Sequence, residues 1–491
     1  MQHYPLFIDG QWCEAADGAR IETSNPASGE VWATAAAAGA ADVERAVEAA
    51  ERALWRGEWA RMTATARGRL LHRLGDLCSE HASRLGEIET TDSGKLARET
   101  RAQTAYVGDY YRYYAGLADK IQGATLPIDK PDMQVSTWRV PIGVVAAIVP
   151  WNAQMFLTAS KLGPALAAGN TVVLKASEQA PAPLFEFARL VELAGFPPGV
   201  INVITGTGEA CGRALTSHPK VARVAFTGGP ETARHVVRNS AENFAVTSLE
   251  LGGKSPILVF DDADLDSAVN GVIAGNFGAS GQSCVAGSRV FVQAGLHHAF
   301  VERLVARAGE IVIGDPLDES THVGPLCTTA QIERIEAVLA DSLAQGATLH
   351  CGGRRPDRPA AGNYWLPTVI GCPDQSIRSV REELFGPVCS LLKFDSEDEA
   401  IALANDSRFG LGAGVFTENL ARGLRVSQAI RSGIVWVNTY RAISPISPFG
   451  GFGDSGYGRE AGIDAVYDYT RSKSVWINTA SAPMANPFVM R

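Results

Sequence analysis

From residue 140 onward the chain alternates between two kinds of segment, and this alternation restricts the fold more than any other feature. "GVVAAIV", "TVVL", "VINVI" and "RVAFT" are short apolar runs bounded by Gly, Pro or Asn. Between them lie longer stretches with helical periodicity, such as "FLTASKLGPALAAG" and "PLFEFARLVELAG". A strand that is apolar at every position must be buried on both faces, and helices crossing over a parallel sheet supply that cover. Such sheets bind ligands beyond the carboxyl ends of their strands. A second alternation starts at "SPILVF" (Ser255 to Phe260) and runs through "RVFVQ", a helix over about Gln331 to Ala344, and "GIVWVN". At 491 residues the chain is too long for one ordinary core, so two α/β units plus smaller parts are expected.

The first hundred residues read as largely helical. "ADVERAVEAAERAL" puts Val43, Val47, Ala50 and Leu54 on one stripe, with Asp42 placed to cap the start, and a long helical stretch follows from about Thr63 to Thr91. Glycines crowd the segment from Ser447 to Gly462, which reads as a long functional loop. The tail "KSVWINT" reads as a strand that pairs either with another subunit or with a sheet of its own chain.

The formal net charge of −9 argues against a broad basic footprint for nucleic acid. The longest strongly apolar run, around "IGVVAAIVPW", is too short to span a bilayer, and "MQHYPLFIDG" lacks the basic start and apolar core of a secretory signal. The eight cysteines form no C-x-x-C, and there is no H-E-x-x-H, so no metal site is expected. Reduced thiols and a cytoplasmic setting are the corresponding expectation.

Several turns after strands carry groups that can do chemistry. "PWNAQ" places Asn152 beyond the first strand, where its amide can donate to a developing oxyanion. "LELGGKSP" sets Glu250 before Gly252 and Gly253, and a carboxylate in such a turn can act as a base. "GQSCVAGSR" holds Cys284 among small residues, as either a packed thiol or a nucleophile. "KASE" offers Lys175 and Glu178 to the hydroxyls of a sugar, or to solvent. "GTGEACG", with Gly208, is a weak dinucleotide fingerprint because its last glycine arrives one residue late. "FTGGPETAR" carries Phe226, Gly228 and Gly229 into a helix whose free N–H groups suit a pyrophosphate, or makes a plain tight turn. "GDSG" (Gly453 to Gly456) imitates a serine-protease segment, but Tyr457 follows it and no histidine stands in a matching setting.

Taken in order, PWN, KASE, FTGG, ELGGKS, GQSC, EELFGPV and PFGG resemble the aldehyde dehydrogenase superfamily over about Leu6 to Ile477. The 34 positions from Glu250 to Cys284 match its hydrolytic members. The resemblance implies an α/β fold with a Rossmann-type cofactor domain (1–122 and 142–253), a catalytic domain (254–454), and oligomerisation and C-terminal segments (123–141 and 455–491). It also implies a homodimer or homotetramer. By the same resemblance Cys284 attacks an aldehyde, Asn152 and the Cys284 N–H hold the oxyanion, and Glu250 activates water against the thioester. Lys161 takes part in proton relay. Trp151, Lys175, Glu178, Gly208, Phe226, Gly228, Gly229, Glu383 and Phe385 surround the cofactor. Ser283, Ala286 and Gly287 are expected to clear space beside the sulfur. Glu178 favours NAD, with NADP as the alternative, because a carboxylate near the 2′-hydroxyl repels a 2′-phosphate. The competing functions are a coenzyme A-acylating relative, against which Glu250 speaks, and a non-enzymatic binding protein on the same fold.

The sequence departs from the family pattern in places. Gly229 lacks a hydroxyl common there, and Ala233 replaces a glycine. Ala153 and Ser160 stand where larger side chains are common and are expected to widen the substrate tunnel, which Phe156 partly refills. Arg441, Ile443 and Phe449 fall in the loop expected at the tunnel mouth. Arg441 reads first as a solvent-facing loop arginine and alternatively as the partner of a distal carboxylate on the substrate.

Overall fold

The structure is a computed structural model that describes residues 1–484 and 486–489. The apolar runs after residue 140 form Val144–Ile148, Thr171–Ala176, Ile201–Thr205, Val221–Thr227 and Val246–Glu250, the parallel centre of an eight-stranded sheet. The first three are buried at every position, Lys175 and Asn202 included, and most of their positions are apolar for that reason. Across the sheet the order is Val246–Glu250, Val221–Thr227, Val144–Ile148, Thr171–Ala176, Ile201–Thr205. The chain winds outward in one direction for three strands and then returns to the other side. The reversal falls between Val144–Ile148 and Val221–Thr227, where the loops leaving the two strands diverge and open a crevice. Trp151 and Asn152 follow the first of these strands, and Gly228 and Gly229 follow the second.

A second, seven-stranded sheet contains Pro256–Val259, Arg289–Gln293, Thr368–Gly371, Val388–Phe394, Gly412–Phe416 and Ile434–Val437, all parallel to their neighbours, with Thr348–Cys351 antiparallel at one edge. Alternate residues feed two cores on its opposite faces. Ile257, Val259, Val290 and Val292 enter one, and Leu258, Phe260 and Phe291 enter the other.

The N-terminal segment departs from the helical expectation. Gln2–Tyr4, Leu6–Ile8, Gln11–Cys13, Arg20–Ser24 and Val31–Ala36 are strands, and helix begins only at Ala40. Leu6–Ile8 joins the first sheet beside Ile201–Thr205, while Gln2–Tyr4 and Arg20–Ser24 flank Val31–Ala36. These pairings join strands distant in sequence, which a helical period does not reveal. Gly39, not Asp42, caps the helix Ala40–Trp55; Asp42 lies one turn in and accepts from the N–H groups of Gly39 and Ala16 at 3.0 Å each. The stretch from Thr63 to Thr91 is two helices, Ala64–Glu80 and Ala82–Ser93, broken at His81.

The tail strand Thr470–Asn478 pairs antiparallel with Met133–Pro141 of its own chain, and Ala124–Leu126 completes this three-stranded sheet. The segment just before it does not belong there. Gly456–Tyr457 pairs with Leu249 and Glu250 on the edge of the first sheet, so the glycine-rich loop returns to the end of the strand that carries Glu250. Among the described residues no helix is long and apolar enough to cross a membrane.

Candidate active site

A cleft of about 300 Å³ takes its walls from the loops of both large sheets. Asn152, Glu250 and Cys284 all line it. So do Trp151, Gly228, Gly229, Glu383 and Phe385 on the side where a cofactor is expected. Ala153, Phe156, Arg441, Ile443 and Phe449 line it on the side expected for substrate. These thirteen positions span nearly 300 residues of sequence, and the topology gathers them at one place.

The segment before Cys284 has a strained backbone. Ala279, Ser280 and Gly281 lie consecutively in the left-handed region, with φ of 53°, 54° and 73°. Such angles cost a non-glycine residue about 1 kcal/mol or more each, so the surroundings must hold them. The Ala279 N–H donates to Glu99 Oε1 (3.1 Å), the Ser280 hydroxyl to the Gly324 carbonyl (2.9 Å), and the Cys327 N–H to Gln282 Oε1 (2.9 Å). Gly281 admits no side chain: a Cβ there would lie 2.2 Å from the Gly386 carbonyl carbon. The GQSC and EELFGPV segments are therefore packed backbone to backbone. Asn152 Nδ2 donates to the Gln282 carbonyl (3.0 Å), which fixes its amide against the cysteine loop.

The glycine pair of "ELGG" has the same kind of steric reason. A Cβ on Gly252 would lie 2.0 Å from Glu383 Oε2, and one on Gly253 would lie 2.6 Å from the Cys284 carbonyl oxygen. The Gly253 N–H donates to Glu383 Oε1 at 3.0 Å. Burial pushes the Glu383 carboxyl up to about 7, against the lowering by that N–H and by Lys254.

Burial also dominates the two reactive groups. It pushes the Cys284 thiol up to about 12; Glu383 and Glu250 add to this and Arg441 opposes it. Glu250 is held well above the usual carboxylate range by burial, with Glu460 adding and Lys161 and Arg459 opposing. Both Glu250 oxygens are buried without a hydrogen-bond partner, and a Cβ on Gly450 would come within 2.8 Å of one of them. Behind Glu250 runs a polar chain. Lys161 donates to Thr227 Oγ1 (2.6 Å) and forms a buried ion pair with Glu460, whose other oxygen accepts from the Ser160 hydroxyl at 2.6 Å. Ser160 thus does not widen the substrate wall: it is buried in this chain, away from the cleft lining. The small residues after Cys284 also have a different use than expected. Ser283 lines the cleft, whereas Gly287 packs against Ile257 and Tyr440, where a Cβ would lie 2.3 Å from the Ile257 side chain. Ala286 is not on the lining either.

Sequence reasoning missed Glu460. It lies near the end of the glycine-rich loop with no strand or helix pattern around it, and only the return of that loop to the first sheet brings it to Lys161. Gln103, in the helix Ala97–Leu117, and Lys95, in the link before it, also line the cleft; they were missed because they lie about 150 residues upstream of Glu250.

On the cofactor side, Lys175 Nζ lies 3.2 Å from Glu178 Oε2 at the end of Thr171–Ala176; the lysine is buried and the glutamate partly exposed. Gly208 opens a π-helical turn, Gly208–Gly212, capped by Thr207, so "GTGEACG" is not a plain dinucleotide fingerprint. The Phe226 ring lies over Gly228, where a Cβ would come within 2.5 Å of it. Gly229 caps the helix Pro230–Ser240, and a Cβ there would meet nothing within 4 Å, so open space lies beside the free N–H groups of that helix end. Trp151 and Phe385 meet edge to face with centroids 5.4 Å apart. A buried lysine paired with a partly exposed carboxylate, an open helix N-terminus and the Glu383 carboxylate near two aromatic rings fit the sugar, pyrophosphate and ring of a dinucleotide.

A family model described as the aldehyde dehydrogenase family matches residues 12–475. The chain belongs to the aldehyde dehydrogenase family, enzymes that oxidise aldehydes. It is 55% identical, over the full length of both proteins, to the (Z)-2-((N-methylformamido)methylene)-5-hydroxybutyrolactone dehydrogenase of Acinetobacter baylyi. Among solved structures, betaine aldehyde dehydrogenase from Staphylococcus aureus in complex with NAD+ is similar at 38% identity, with a TM-score of 0.97 over 99% of this chain and 97% of that one. An NAD+ complex of an aldehyde dehydrogenase from Bacillus cereus is 40% identical, with a TM-score of 0.95 over 98% and 97% of the two chains.

Proposed function

We propose that the chain is a hydrolytic, NAD-preferring aldehyde dehydrogenase that uses Cys284, Asn152 and Glu250 as nucleophile, oxyanion donor and base. The observation that carries this reading is a buried carboxylate without hydrogen-bond partners, Glu250, opening on the same cleft as a free, partly exposed thiol, Cys284. The thiol loses its proton, and the sulfur bonds to the aldehyde carbon to give a thiohemiacetal. Its oxyanion is held by the Asn152 amide and the Cys284 N–H. Bound NAD supplies the hydride acceptor that turns the thiohemiacetal into a thioester. Glu250 then takes a proton from water as the water attacks, the carbon–sulfur bond breaks, and the acid leaves. Lys161 and Glu460, behind Glu250, offer the route by which that proton reaches Thr227 and the far side of the strand end.

Lys175, Glu178, Gly208, Phe226, Gly228, Gly229, Glu383, Phe385 and Trp151 would hold the dinucleotide. The exposed edge of the Glu178 carboxylate disfavours a 2′-phosphate, so NAD is the preferred cofactor and NADP the slower one. Residues 1–122 with 142–253, and 254–454, would be the cofactor and catalytic domains. The sheet of 123–141 with the tail would join chains into a cytoplasmic homodimer or homotetramer. The Acinetobacter relative is named for a 5-hydroxybutyrolactone. A butyrolactone bearing a hydroxyl at that carbon is the ring-closed form of a 4-oxo carboxylic acid, which places aldehydes carrying a carboxylate within the chemistry this site would meet.

The test is Cys284→Ala. It should abolish NADH formation with every aldehyde while leaving NADH binding, read by fluorescence, intact. The parent should form free acid without coenzyme A and turn over faster with NAD than with NADP. An active Cys284→Ala enzyme, or an obligatory need for coenzyme A, would overturn the mechanism.

A further inference from the structure

The helix Ala97–Leu117 turns one face toward the cleft. Glu99 accepts from the Ala279 N–H, the Tyr106 hydroxyl donates to the Ile443 carbonyl (3.1 Å), and the Tyr110 ring meets Phe156 edge to face at 5.1 Å. With Gln103 these positions follow helical spacing, so they share one side of the helix. Gln103 lies on the cleft lining, and its carbonyl oxygen accepts from Lys95 Nζ at 2.6 Å. Lys95 is buried and also donates to Glu89 Oε1 at 3.2 Å. An ammonium has three donors and an amide has a donor end and an acceptor end. With the Gln103 oxygen committed to Lys95, its NH2 is the end left for a ligand, and Lys95 retains a third N–H.

Arg441 also lines this cleft, on the loop carrying Ile443. Its backbone is left-handed, with φ of 65°, and its guanidinium passes over Gly278, where a Cβ would lie 2.1 Å from Nη1. Among the described residues its side chain makes one hydrogen bond, from Nη1 to the Ala274 carbonyl at 3.1 Å, and joins no ion pair. Many other arginines of the chain are paired with carboxylates, including Arg112, Arg378, Arg381, Arg422 and Arg425. The neighbouring Tyr440 hydroxyl donates to the Val285 carbonyl at 2.8 Å, which ties the loop to the residue beside Cys284. Apolar Phe156, Ile443 and Phe449 make up other parts of the same wall.

A cleft with apolar sides and an arginine whose fork is mostly unused suits a ligand with a short apolar body and an anionic end. We infer that the aldehyde oxidised here carries a carboxylate, held by Arg441 and by the Gln103 amide that Lys95 orients. This rests on Cys284 being the nucleophile. It makes Arg441 and Gln103 the residues that determine substrate choice, and Lys95 a positioning residue that acts through Gln103.

The experiment compares ω-oxo carboxylates of four to six carbons with neutral aldehydes of the same lengths, following NADH. The parent should show the higher kcat/KM for the oxo acids. Removing a hydrogen-bonded charge partner should lower the acid-to-neutral ratio about 10–100-fold in Arg441→Ala, mainly through KM. Gln103→Leu should lower it by roughly tenfold or more, the cost of one charge-assisted hydrogen bond, and it carries the same test if Arg441→Ala does not fold. A parent that prefers neutral aldehydes at every length, or a ratio that stays within threefold in both variants, overturns the inference. A parent that oxidises neither class instead overturns the catalytic reading itself.

Discussion

Gly252→Ala is the sharpest test of how the site is built. Gly252 does not have a positive φ, so an alanine there meets no backbone strain, and the effect is one of space alone. Its Cβ would lie 2.0 Å from Glu383 Oε2 and 2.6 Å from both Oε1 and the carboxyl carbon. Ordinary carbon–oxygen contact begins near ~3.4 Å, so the carboxylate must retreat by roughly 1.4 Å. It has little room: Glu383 is partly buried and its Oε1 accepts from the Gly253 N–H at 3.0 Å. Overpacking costs about 1–3 kcal/mol, and losing a hydrogen bond to a charged group about 1.5–3 kcal/mol, so destabilisation of about 2.5–6 kcal/mol is expected. The KM for NAD should rise at least about tenfold, because Glu383 no longer stands where the dinucleotide meets it. The assay is denaturant unfolding together with steady-state kinetics, in the parent and in Glu383→Ala. With the carboxylate gone, the added methyl has nothing to strike, and Gly252→Ala should cost less than about 1 kcal/mol in that background. Equal destabilisation in the two backgrounds would refute the steric account.

Two further predictions concern protons. The folded pKa of Glu250 lies above its unfolded value, so the unfolded chain sheds this proton first as pH rises, and stability falls from about pH 4.3 upward through the folded pKa. Glu250→Gln removes that slope: its Tm relative to the parent should climb between pH 5 and pH 8 while acid formation is lost, and a constant Tm difference would contradict it. Burial holds the Cys284 thiol up to about 12, so in the cofactor-free enzyme its alkylation by iodoacetamide should be slow at pH 7 and rise about tenfold per pH unit into the alkaline range. Arg441 lowers that thiol, so Arg441→Ala should slow alkylation at every pH below 10; faster reaction would show that the guanidinium does not act on the sulfur.

Strands such as Val144–Ile148 and Pro256–Val259 were legible because every position is buried and the apolar run is unbroken. Gln2–Tyr4 and Val31–Ala36 were not, because they depend on partners that no local period announces. The ordered motifs carried the family; they put Asn152 and Glu250 at the carboxyl ends of strands, whereas Cys284 lies in the loop before Arg289–Gln293. Ser160 was misplaced for an instructive reason. Ser160 and its neighbour Lys161 in the helix Gln154–Ala167 both turn to Glu460, a residue 300 positions away whose approach no local spacing announces.

The amino-acid order by itself carried the two largely parallel sheets, since burial period is a local property, and its ordered motifs pointed, through their resemblance to the family, to the proposed base, thiol and amide. Only the tertiary structure decided what surrounds them. It turned Gly252, Gly253 and Gly281 from flexible turn residues into gaps for the Glu383 carboxylate, the Cys284 carbonyl and the Gly386 backbone. It brought Glu460 behind Glu250 through a returning loop, and it aimed Arg441 into the cleft rather than into solvent. Each of these is a contact between segments far apart in the chain. Its existence depends on how strands are ordered across a sheet, which no stretch of sequence contains on its own.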